Sequence, residues 1–210
     1  MMSAEENWTA ETWPASPERQ TLEGKNKFLG FWLFLGGETV LFATLFATYL
    51  ALKDKVPSPE HALAKDLFEL PLVFATTMIL LTSSLTSVYA MYHMKNFQFK
   101  KMMIWLGVTV VLGASFLALE IYEFNHYVHE FHHTFTSSAF GSAFFTLTGF
   151  HGRHVAFGLF WILTLMIRNA KRGLNLYNAP KFYLASLYWH FIDVVWVFIF
   201  TVVYLMGMVG

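Results

Sequence analysis

The sequence contains no cysteine. That excludes disulfides, covalently attached haem, iron–sulfur clusters, thiolate zinc or copper sites and a cysteine nucleophile. A metal held by this chain would need His, Glu, Asp or Met ligands. Charge is also scarce. Only 13% of the 210 residues are Asp, Glu, Lys or Arg, whereas a soluble domain averages about 25%. Net charge is zero, so no bulk attraction to nucleic acid or another polyanion is implied. No glycine-rich phosphate loop is present, and no nucleophile–base pattern surrounds the serines and threonines.

Hydrophobic residues make up 56% of the chain and aromatic residues 19%. With so few charges to cover a surface, this composition excludes disorder and a soluble domain. It indicates an integral membrane protein. Residues 1–27 form a polar tail carrying Pro14 and Pro17. The tail lacks the short apolar region of a cleavable signal. Trp8 and Trp13 suit it to docking at headgroup level. Residues 28–210 then hold five apolar segments: Phe28–Leu52, Leu70–Met91, Met102–Phe124, Ala139–Ile167 and Phe182–Met208. Each exceeds the ~20 residues that cross ~30 Å of hydrocarbon as a helix. Backbone groups in lipid must satisfy one another, so the expected fold is all-α, a bundle of five transmembrane helices. The fourth segment is the longest, which suits a tilted helix.

Ten of the fourteen basic residues fall in the tail and in the loops after the second and fourth segments. The opposite side has three, Lys53, Lys55 and Lys65, and Arg153 lies inside the fourth segment. The excess of basic residues places the N-terminus in the cytoplasm and the C-terminus outside.

An ionisable group at bilayer depth costs about 2.5 kcal/mol or more, so each one needs a reason. Glu38 lies near the midplane beside Gly36 and Gly37, where a carboxyl could hold a proton or anchor a neighbouring helix. His190 and Asp193 are three apart on the fifth segment, flanked by Trp189 and Trp196, and suit a relay, a metal ligand or a local His–Asp bond. His151 and His154 share the same spacing on the fourth segment. Gly149, Gly152 and Ala156 beside them form a small-residue face suited to close helix approach. Arg153 needs an acidic partner at that depth, and Glu38 and Asp193 are the candidates. Glu120 and Glu123 end the third segment near the outer surface. Thr82, Ser83, Ser84 and Thr86 give the second segment hydroxyls for bonds across helices.

The stretch after Glu123 holds His126, His129, His132 and His133. His129–His133 reads H-x-x-H-H, a pattern also found in membrane di-iron desaturases and hydroxylases. A second such box is absent, and this one is expected outside. His151 and His190 lie too deep to join it. A solvated histidine-rich loop is the simpler reading. A haem axial role for His151 or His190 would need paired spacing on two helices, which is missing. A small transporter is a further alternative, but no inverted repeat or paired half-helices appear.

Several stretches carry a resemblance. Gly149-Phe150-His151-Gly152-Arg153-His154-Val155 resembles the G-F-H-G-x-H-V motif of subunit III of the haem–copper terminal oxidases. Tyr188–Trp196 is similar to that family's Y-W-H-F-x-D-V-V-W. Leu33–Glu38 resembles the segment bearing its carbodiimide-reactive glutamate, which maps to Glu38. Leu112–Glu123 resembles the helix ending in a family Glu, matched by Glu123. The likeness runs in one order from Phe28 to the C-terminus. Two positions depart from it: that of Arg153 is usually apolar or small, and that of Glu120 is often Gln. Five helices correspond to the short bacterial form, whereas the long form has seven.

The resemblance implies a non-catalytic subunit of a proton-pumping respiratory oxidase in a bacterial cell membrane. It implies that haem and copper reside in partner subunits and that this chain holds no cofactor or metal. It also implies packing against subunit I in a complex with subunit II, phospholipid binding, and support of proton uptake. Glu38, Glu123, His151, Arg153, His154, His190 and Asp193 would then be intramembrane proton or structural residues. Overall resemblance favours cytochrome c over quinol as the electron donor.

Overall fold

The computed structural model describes residues 8–52, 70–130 and 139–206, with side chains for 8–52, 71–125 and 141–206. Among them are five long helices and no strand: α1 (Leu22–Leu52), α2 (Leu70–Lys95), α3 (Phe99–Glu130), α4 (Ala139–Asn169) and α5 (Ala179–Ile199). The last continues through a π-helical stretch, Phe200–Leu205. All five are long and apolar enough to cross a membrane. The surface confirms their setting. Leu33, Ile104, Phe160 and Ile167 face outward, whereas Ser83, Ser87, Thr109, Thr148 and His151 are buried. Hydrocarbon outside and hydroxyls inside is the packing expected where lipid, not water, surrounds the bundle.

Helix ends differ from the apolar segments in a consistent way. α1 begins at Leu22, six residues before the apolar run, and α3 runs from Phe99 to Glu130, which makes it the longest of the five. Apolarity ends where hydrocarbon ends, but a helix can continue into the headgroup region, where polar side chains are solvated. The tail is folded onto the same end of the bundle. Pro17–Arg19 forms a 3-10 turn, and Trp13 is buried with its ring 4.9 Å from that of Phe97 in the α2–α3 turn. Phe97 has φ 54°, an unusual conformation for a bulky side chain, and its ring packs on Trp13.

The α4–α5 turn is built by asparagines. Asn178 accepts from the Asn175 amide through Oδ1 and donates to the Gly173 carbonyl, while Gly173 takes φ 68°. This end of the bundle also gathers basic groups. Lys181 sits 3.6 Å from the Tyr177 ring centre, and its hydrogen bond and charge hold the Tyr177 phenol below the ordinary tyrosine range.

α5 is the central helix. Thirteen of its 21 residues are buried, and it packs against α1, α2 and α4. α2 and α3 form a close hairpin; α3 also meets α4, and α1 closes the bundle against α4 and α5.

Candidate functional site: the intramembrane polar core

Two tryptophans on α5 tie the bundle together. Trp189 donates from Nε1 to the Ser83 hydroxyl of α2 at 3.0 Å. Its ring lies where α3 and α4 each present a glycine. A Cβ on Gly113 would stand 2.5 Å from the indole, and one on Gly158 would stand 3.1 Å from it. One turn pair further along, Trp196 donates to Thr77 of α2 at 3.1 Å. It packs edge-on to Phe116 of α3 at 4.8 Å and lies 5.1 Å from the His151 ring of α4. Seven residues of helix bring both rings to one face, so each tryptophan contacts three other helices.

Between these tryptophans lies the buried ionisable group Asp193, which is close to Ser84 of α2 and His151 of α4. Ser84 also hydrogen-bonds His190 Nδ1 at 2.7 Å. The tie from His190 therefore runs to α2, and the local His190–Asp193 bond is replaced by a shared neighbour, Ser84. Two more hydroxyl pairs extend the seam: Thr86 with Thr109 at 2.8 Å and Ser87 with Ser186 at 2.7 Å. Thr82 is exposed and bonds only the Met78 carbonyl.

His151 and His154 part company despite their spacing. His151 is fully buried and donates from Nε2 to the Ile192 carbonyl at 3.3 Å. Its Nδ1 faces Glu120 of α3 at 3.9 Å, too long for a direct hydrogen bond. Gly152 makes room for that carboxyl, since a Cβ there would lie 2.9 Å from Glu120 Oε2. α3 continues ten residues past Glu120, and Glu120 is buried in the bundle. Glu123 is buried as well. Gly149 has ordinary contacts and Ala156 is exposed, so only Gly152 of that expected trio makes a close approach.

His154 turns toward α1. Its Nε2 lies 3.1 Å from Glu38 Oε2, and its Nδ1 lies 2.8 Å from the Phe150 carbonyl. A carbonyl only accepts, so Nδ1 carries a proton. The Glu38–His154 contact then holds a single further proton, on the carboxyl or on the ring. Either way the pair is net neutral. Glu38 is sixteen residues from the start of α1 and fourteen from its end, and His154 is midway along α4. A net-neutral pair answers the cost of placing ionisable groups at the midplane. Phe42 and Phe150 enclose the ring at 5.2 and 5.1 Å.

The proton count predicts mutant behaviour. Glu38→Gln keeps a hydrogen bond to His154 and is expected to leave thermal stability within about 0.5 kcal/mol. Glu38→Leu strands a largely buried ring nitrogen and is expected to cost about 1–3 kcal/mol. Thermal denaturation in detergent distinguishes them. Equal losses in the two variants would mean that the charged carboxylate is what matters.

Arg153 meets neither candidate partner. Glu38 is engaged by His154, and Arg153 is exposed with its guanidinium 4.8 Å from the Phe150 ring centre. Of the loop histidines, His132 and His133 lie outside the described residues, as do the side chains of His126 and His129. Among the described residues no three His, Asp or Glu side chains gather as a metal site.

The sequence as a whole decides the family. Residues 20–208 match the model of cytochrome c oxidase subunit III. The chain belongs to this family. It is 79% identical over its full length to cytochrome c oxidase subunit 3 of Bacillus sp. (strain PS3), covering all of that protein, and 74% identical to the same subunit of Bacillus subtilis (strain 168), again covering both chains. Quinol oxidase subunit 3 of Bacillus subtilis (strain 168) is 48% identical over 93% of this chain and 95% of that one. The chain is therefore subunit III of a haem–copper oxidase, a multi-pass membrane component of an oxidoreductase complex with other subunits. Trp189, His190, Asp193, His151 and Gly152 all lie within the matched residues, and the motifs that carried the resemblance form the polar core.

Proposed function

We propose that this subunit III is a non-catalytic brace in a complex that passes electrons from cytochrome c to dioxygen, makes water and pumps protons. It packs against subunit I beside subunit II, holds phospholipid, and supports proton uptake. Haem and copper belong to the partner subunits. The observation that carries this reading is that the intramembrane imidazoles serve as ties between helices. Within the spans, His151 bonds Ile192, His154 bonds Phe150 and Glu38, and His190 bonds Ser84. These bonds hold helices together and tie one nitrogen of His151, one of His190 and both of His154 to protein partners. The three rings are bonded to different helices, and among the described residues they do not gather with other ligands at one point, as a copper centre would need.

The charge bias supports a bacterial cell membrane orientation with the N-terminus in the cytoplasm and the C-terminus outside. Identity supports the donor: 79% and 74% to the cytochrome c oxidase subunits, against 48% to the quinol oxidase subunit. Oxygen uptake by the purified complex is the test. Reduced cytochrome c should sustain turnover, and a soluble quinol should not. The reverse preference would assign the chain to a quinol oxidase.

A further inference from the structure

Among the described residues, Arg153 is a mid-span ionisable group that the polar core leaves outside. It stands two residues from the centre of the membrane-spanning stretch Gly141–Asn169. That places its Cα about 12 Å from the nearer edge of a ~30 Å hydrocarbon layer. Snorkelling serves arginines near helix ends, and this one is near the middle. Its side chain is exposed on the bundle, and no ion pair to it occurs among the described residues. The acids within the spans do not serve it. Glu38 is taken by His154, Glu120 and Asp193 are buried on the inner side with His151, and Glu123 is buried with no ion pair to Arg153 among the described residues. The ring of Phe150 at 4.8 Å offers a quadrupole but no counter-charge. The face that carries Arg153 continues as Ala156, Phe157, Phe160 and Leu163, all exposed.

We propose that Arg153 is the anchor of an intersubunit contact, an ion pair at mid-membrane depth with an Asp or Glu on a spanning helix of a neighbouring oxidase subunit. This rests on membership of a multi-subunit oxidase and adds a site to it. Charge complementarity selects the occupant. A lone guanidinium in hydrocarbon is too costly to leave unpaired, and a lipid phosphate lies at the headgroups, not at this depth. A carboxylate on a protein helix can reach the midplane and accept two parallel N–H bonds from the guanidinium fork. The apolar residues around Arg153 would exclude water and strengthen the pair. A small side chain at Ala156, one turn along, leaves space for the approaching helix.

The test uses the whole complex, purified through a tag on a haem-bearing subunit, with this chain quantified per haem. Arg153→Leu removes the charge at an exposed position and should leave the bundle's own fold intact. It is expected to lower the retained chain by at least about tenfold after detergent extraction. Arg153→Glu should do the same. One Asp or Glu in the spans of a neighbouring subunit, when changed to Arg, should restore retention of the Arg153→Glu chain. Wild-type retention of Arg153→Leu would overturn the proposal and leave Arg153 facing lipid. If Arg153→Leu fails to accumulate in the membrane, the charge swap decides: rescue supports the pair, and failure of every swap overturns it. Failure of the unaltered chain to co-purify with haem would instead count against the oxidase reading itself.

Discussion

Replacing Trp189 by alanine is expected to be among the most damaging single changes to this bundle, at about 3–5 kcal/mol. The indole is 1% exposed. Its loss removes the hydrogen bond to Ser83 and opens a void facing Gly113 and Gly158, positions with no side chain to fill it. Helices in lipid gain little from hydrophobic burial against each other, so lost van der Waals contact dominates the cost; Ser83 keeps its own bond to the Leu80 carbonyl. Trp189→Phe keeps part of the ring and should lose less. Heating the detergent-solubilised chain while following near-ultraviolet circular dichroism would measure both. A Trp189→Ala protein that unfolds at the wild-type temperature would remove the tryptophan from its proposed central place.

The second large effect is the complementary one. Gly113→Val should prevent normal packing of α3 against α5. A Cβ at this position would lie 2.5 and 2.7 Å from the indole and 2.9 Å from Leu159. The indole is fixed by its bond to Ser83 and by Gly158 on its other side, so it cannot swing away. Overpacking of this kind costs about 1–3 kcal/mol, and more where backbone must move. Since the two sites touch, their effects should not add. Gly113→Ala with Trp189→Phe should be more stable than the sum of the single changes indicates, because the smaller ring vacates the space the methyl enters. Strict additivity in that double-mutant cycle would contradict the contact.

Much of this fold is legible in the sequence because the bilayer enforces it. A segment that crosses hydrocarbon must be apolar and must be a helix, so all five spans could be read from runs of apolar residues. Their ends could not. Leu22 and Glu130 lie in polar stretches, where helix formation carries no apolar signature. The motif residues were legible as a set, but their pairings were not. Glu38 and His154 are 116 positions apart, and nothing local links them. His151 and His154 look like one face at three-residue spacing. α4 is wedged between α1 on one side and α3 with α5 on the other, so a small rotation sends them to different partners. The same wedge turns Arg153 outward, away from both acids named for it. Gly113 and Gly158 escaped notice because neither belongs to a small-residue repeat. The available signal was a glycine in an apolar span and a large aromatic without an assigned seat.

The central claim is that this chain braces a haem–copper oxidase and carries none of its redox centres. The most direct measurement is metal and haem content per subunit I, in complex purified with this chain and in complex from a strain lacking it. Equal iron, copper and haem per subunit I in the two preparations, with unchanged visible spectra, is the predicted result. Loss of one haem or copper in proportion to the missing chain, or stoichiometric metal in the chain purified alone, would contradict it.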